Sequence, residues 1–221
     1  MVMPKVLEAD ALLEVTLVAP PFELMAPDAY QLHAKAIRAF ERFGLTVSGI
    51  IRNTTPSALG EQSITYNLPL ISCSIALSLA KIEFRFFNLI SSSSSDRKYL
   101  IGQFMSDLLE QCPNNRAAAC IFTQVVHLAI EGMTGKELVA KRIASYPTGL
   151  GELQHTGIAF SFGVQGPRTY LNVVTDPSVR HEGALYVRTV EAIDLTDLSI
   201  NDAFDHVGST NRAVAAGLGF E

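Results

Sequence analysis

Hydrophobic and polar positions alternate without a break between Ile71 and Leu79, with Ile71, Cys73, Ile75, Leu77 and Leu79 on one side and Ser72, Ser74, Ala76 and Ser78 on the other. Successive side chains of an extended strand point to opposite faces, so this period of two predicts a half-buried strand with one oily face and one small, hydroxyl-rich face. The next segment answers it, setting Ile82, Phe84 and Phe86 against Lys81, Glu83 and Arg85, which predicts an antiparallel partner.

The same logic extends along the chain. Ala11 to Ala19 is a β-branched apolar run stopped by Pro20-Pro21 and reads as a largely buried strand. Pro27-Asp28 open a helix that Gly44 ends, since Pro tolerates a first turn, Asp favours the positive end of the helix dipole, and Gly suits a left-handed stop. Leu45 to Ile51 and Ile64 to Leu68 read as further strands. Five serines, Ser91 to Ser95, precede Asp96 and predict a surface loop ending in a helix N-cap. The helix that follows carries Leu100, Ile101, Phe104, Met105, Leu108 and Leu109 on adjoining stripes and stops before Pro113.

Ala117 to Ile130 is apolar at both parities, the pattern of a central strand covered on both sides. A short helix is expected from Gly135 to Ser145. Ile158, Phe160, Phe162 and Val164 then alternate with Ala159, Ser161 and Gly163. Gly166-Pro167 turns the chain into a strand at Thr169 to Val174, and the last strand covers Ala184 to Ile193. Ser199 and Asp202 start a final helix as a capping-box variant. These elements predict an α+β fold, a large and mostly antiparallel sheet with amphipathic helices on one face, built as a single domain over residues 1–221. Two similar halves, 1–92 and 93–221, divide it at the serine loop.

Composition narrows the function classes. The 221 residues are 48% hydrophobic and only 18% charged, and the formal net charge is -5. Lys and Arg are scattered, so no basic stripe offers itself to a nucleic-acid backbone, and no nucleic-acid partner is expected. The longest apolar stretch, Leu68 to Ala80, is too short for a spanning helix and has the period of a strand, so no membrane association is expected either. The amino terminus lacks the pattern of a secretory signal, and three cysteines at 73, 112 and 120 form no CxxC pair. A reducing cytoplasm is the expected compartment.

The segment Cys120–Leu128, preceded by a helix ending at Gln111, resembles the helix and following strand of an uncharacterised, sporadically distributed bacterial protein family with a Thr-Tyr-x-Asn-x-Ile core. Gln124 and Val126 stand here where that family has Tyr and Asn. Ala203–Asn211 is similar to the same family's closing helix with its Ala-Phe-x-x-Leu-Thr-Thr stretch. The resemblance implies no activity, substrate or catalytic residue.

Chemistry-bearing motifs are few. No GxSxG elbow, P-loop or dinucleotide fingerprint occurs, no cofactor or metal is expected, and no catalytic residue is assigned. His127 shares a strand face with Thr123, and Arg180-His181 belong to a polar loop. These four residues are the candidate ligand-binding set, with a core role for His127 as the plainer alternative. The small face of the sheet, Ser72, Ser74 and Ser78 with Ser161 and Gly163, is the candidate interface, the alternative being a plain solvated surface. The leading expectation is a non-catalytic protein that pairs with itself as a homodimer, or with another protein, through that face. Two rivals are a pocket for an apolar small molecule, lined by Phe84, Phe86, Phe160 and Phe162, and an enzyme with dispersed residues around His127.

Overall fold

In a computed structural model of the chain, residues 4–25, 30–53, 62–142 and 157–220 are described. Among them, nine strands form one antiparallel sheet in the order β2-β3-β4-β5-β1-β6-β9-β8-β7. The strands are β1 (Lys5–Leu17), β2 (Ile50–Asn53), β3 (Ser63–Leu68), β4 (Cys73–Ser78), β5 (Ile82–Phe86), β6 (Ala117–Ala129), β7 (Ile158–Phe162), β8 (Arg168–Pro177) and β9 (Leu185–Asp194). The helices are α1 (Phe22–Met25), α2 (Tyr30–Phe40), α3 (Ser94–Gln111), α4 (Gly135–Arg142) and α5 (Ile200–Gly217). The α+β architecture with a large antiparallel sheet is thus the one the sequence predicts.

The order is symmetric about its middle. Outward from the central β1·β6 pair run β5, β4 and β3 on one side, and β9, β8 and β7 on the other. Each side begins with a long strand, crosses by a helix, returns through consecutive hairpin strands and closes with an 18-residue helix, α3 or α5. The joint therefore falls between α3 and β6, not at the serine loop, because α3 packs on the first half: its Phe104 ring lies 5.7 Å from Phe84 and 5.3 Å from Tyr66. The serines instead start that helix. Ser93 accepts the Asp96 amide at 3.0 Å, and Ser199 accepts the Asp202 amide in the same way at 3.1 Å.

The helices cover one face. Leu13, Val15, Tyr66, Ile75, Leu77, Phe84, Cys120 and Phe122 point to it and form the main core with Phe40, Leu100, Phe104, Leu108 and Ala203. Over the first half, α2 lies beside α3, and His33 Nδ1 meets the buried Tyr66 hydroxyl at 2.9 Å. In the second half a smaller cluster joins Leu128, Leu185 and Val187 to Val139 of α4 and to Leu218 and Phe220 after α5. Two glycines fix close approaches. A Cβ on Gly102 would stand 2.9 Å from the Asn201 side chain, where α3 meets the start of α5, and one on Gly135 would lie 2.3 Å from the Ala184 carbonyl oxygen.

Several local expectations shift. The strand read as Ala11 to Ala19 starts earlier, at Lys5, since Glu8 and Asp10 occupy its uncovered side. Leu45 to Ile51 is mostly a 3-10 turn at Val47–Gly49, leaving a four-residue β2. Ser72 is no strand residue. It adopts the left-handed region (φ 48°) after the 3-10 turn Pro69–Ile71, so β4 starts at Cys73. Gly163 lies beyond the end of β7 at Phe162. Strand β6 is central as expected but, among the described residues, covered on one side alone, with Ile121 40% exposed on the other.

Candidate functional site

The uncovered face is read directly from the strand register. Directly opposed residues of antiparallel strands share a face. The chain of partners Glu14↔Ile121↔Ala192↔Tyr170, Leu12↔Thr123↔Val190↔Asn172 and Asp10↔Val125↔Arg188↔Val174 therefore lies on the side away from the helices. Its centre is largely apolar: Leu12, Ile121, Val125, Val190, Ala192 and Val174 lie on it, with Thr123 between Leu12 and Val190, Arg188 between Val125 and Val174, and Tyr170 43% exposed at the margin. The first half of the face differs. Lys81 Nζ bonds Glu14 and lies 2.6 Å from Glu83, which also binds Arg85 Nη2 at 2.7 Å. Partial burial raises the Glu83 pKa, but the hydrogen bonds and charges of Lys81 and Arg85 outweigh that and hold it below the ordinary value.

Of the expected interface serines, Ser74 and Ser78 lie on this face in β4 and Ser161 lies on it in β7. Six inter-strand steps separate β4 from β7 in the sheet order, roughly 29 Å at the usual spacing. The small-residue face is therefore not one patch, because the two segments sit toward opposite margins and the apolar strip lies between them.

At one end of the strip the structure gathers most of the expected ligand-binding residues. His127, which is 2% exposed, shares the uncovered face with Glu8, its register partner on β1, and Tyr186 on β9. The turn between β8 and β9 folds against them, helped by Gly183 at φ 72°. Ser178 Oγ lies 2.8 Å from His127 Nδ1 and accepts the amides of Arg180 at 3.1 Å and His181 at 3.0 Å. Those two amides occupy both lone pairs of the hydroxyl, so its proton goes to His127 Nδ1 and the imidazole carries its own proton on Nε2. His181 Nε2 reaches Glu8 Oε2 at 2.9 Å, and Arg180 binds the other Glu8 oxygen. The hydrogen bond from His181 is the main cause that lowers the Glu8 pKa, while burial lowers that of His127 and keeps the ring neutral.

Thr123 is not part of this group. It shares the face but sits four residues up β6, about 13 Å away along the strand. Glu8 and Ser178 complete the cluster and were not singled out from the sequence. Their partners lie 173 and 51 positions away, so no local spacing marks them. The alternation of Glu8 and Asp10 with Ala9 and Ala11 is the one available signal for Glu8.

Chemically the arrangement is a latch. A serine whose oxygen is held by two amides and whose proton is donated to Nδ1 is not poised as a nucleophile. The cysteines offer none either: all three are buried thiols, and burial pushes Cys120 up to about 12 and Cys112 up to about 11. Of the four phenylalanines expected to line one pocket, Phe84 and Phe86 are buried in the first-half core, whereas Phe160 and Phe162 are 42% and 46% exposed on β7. No helix among the described residues is long and apolar enough to cross a membrane. A scan against protein-family models finds no match for this chain, and a search of curated proteins finds none either.

Proposed function

We propose that the chain is a non-catalytic, cytoplasmic binding protein that pairs with a second copy of itself through the uncovered face of its sheet. One observation carries the reading: Ile121, in the central strand pair, is 40% exposed within an apolar strip over which no described helix lies. Contiguous exposed apolar surface of this kind marks interaction sites. The strip spans roughly 20 by 20 Å, about half of the ~800 Å2 that each partner gives to a standard interface, so the proposed contact extends onto its polar flanks.

The charges beside the strip favour a copy of the same chain. Asp10 on β1 flanks one side of Val125 and Arg188 on β9 flanks the other, whereas Glu8 and Glu14 are already paired with Arg180, His181 and Lys81. A two-fold axis along β6 would lay Asp10 of each copy over Arg188 of its partner, the self-complementarity an isologous interface needs. The buried thiols suit a reducing compartment.

Size-exclusion chromatography with light scattering tests the proposal. A dimer is expected for the native chain, a monomer for Ile121→Arg, and little change for Ser74→Arg, which lies away from the strip. A strict monomer at high concentration would remove the reading.

A further inference from the structure

The helix-covered side has its own opening, independent of the sheet face. Between α5 and the β7–β8 hairpin lies a groove of about 760 Å3, within the range of small-molecule sites. Phe160 and Phe162 form one wall with ring centroids 6.5 Å apart, and Leu171, Val173, Val214 and Leu218 supply floor and opposite wall. The groove exists because the two halves are covered differently. In the first half α2 lies beside α3 over β3; in the second, α4 packs near the β8–β9 turn, where the Gly135 amide bonds the Gly183 carbonyl at 2.8 Å.

One end of the groove is polar. Arg168, held by the tight turn at Gln165–Arg168, donates from Nη2 to the neutral Gln165 side chain at 2.6 Å. Its Nε is buried without a hydrogen-bond partner, and no carboxylate pairs with it among the described residues. His206 and Thr210 of α5 line the same groove, and both turn toward the buried Glu191. Thr210 Oγ1 donates to Glu191 Oε1 at 2.9 Å, and His206 Nε2 lies 3.3 Å from the same oxygen. Thr210 thus holds one Glu191 oxygen, while Glu191 Oε2 and His206 Nε2, like Arg168 Nε, are buried without a hydrogen-bond partner.

We propose that this groove binds a single-chain amphiphile with an anionic head, of the fatty-acid class, with its tail along Phe160 and Phe162 and its carboxylate on Arg168. A long apolar trough gives affinity with chain length, each buried methylene contributing up to ~4-fold. A cation without a counter-ion gives preference for an acid head over a neutral one.

Titration calorimetry with dodecanoic acid and dodecanol, both below their aggregation thresholds, tests this on the intact chain. The acid is expected to bind at least tenfold more tightly than the alcohol. Arg168→Gln should abolish that preference, and the double replacement Phe160→Ser with Phe162→Ser should weaken both ligands at least tenfold. These phenylalanines are exposed, so circular dichroism should show an unaltered fold. Absence of dodecanoic acid binding, equal binding of acid and alcohol by the native chain, or indifference to the double replacement would each overturn the proposal. None of these outcomes bears on the oligomeric state, which is read separately.

Discussion

The two halves of the sheet share one topology but differ in how completely their helices cover them. In the first half, Phe40, Tyr66, Phe84 and Phe104 are wholly buried between α2, α3 and the strands, and the opposite face carries a self-neutralised ion network. In the second half the equivalent margin leaves Phe160 and Phe162 open, and the opposite face is apolar around Ile121. The same strand pattern therefore yields a packed scaffold on one side and unsatisfied surface on the other. Binding is to be sought where coverage is incomplete.

Mutations that treat the halves alike test this contrast. The largest effect is expected at Phe104→Ala, which should lower stability by about 3–5 kcal/mol through cavity formation, while Phe162→Ala should change it by less than about 0.5 kcal/mol. Urea unfolding measures both, and comparable losses would dissolve the distinction. Tyr66→Phe comes next, at about 1–2 kcal/mol, because the hydroxyl is buried and His33 is left without its partner.

Each half also holds an imidazole whose pKa burial lowers, His33 in the first and His127 in the second. The unfolded chain takes up these protons first, so both contribute stability that is full above about pH 6.5 and declines as the pH falls below it. His127→Gln should flatten that decline in a melting-temperature profile between pH 7 and 5, and an unchanged slope would assign the effect to His33. The smallest effect belongs to Arg85→Gln. Its exposed ion pair with Glu83 is worth about 0–1 kcal/mol, less in high salt.

Much of the fold was legible because local rules and tertiary structure agreed. The alternation of Cys73 to Ser78 and of Ile82 to Phe86 appears in the coordinates with the expected buried and half-exposed sides. Both long helices start at the serines that their sequences marked. Failures arose where the deciding fact is long-range. Glu8 and Asp10 look like loop residues until the register places them on a face without helices. Phe160 and Phe162 alternate just as Phe84 and Phe86 do, and nothing within five residues reveals which pair a helix covers. The cluster around His127 was half visible, since a histidine among apolar strand residues stands out and its glutamate and serine partners do not. Of the helix expected from Gly135 to Ser145, the part to Arg142 is seen, and residues 143–145 lie outside the described residues.

The sheet tapers. Among the described residues its middle strands, β1 and β6, have 13 residues each, whereas the margins, β2 and β7, have four and five. Stubby rims offer few free amides for another chain to zip onto, which discourages lateral, fibre-like growth. The proposed pairing, which stacks one broad surface on its copy, is a geometry that terminates at two.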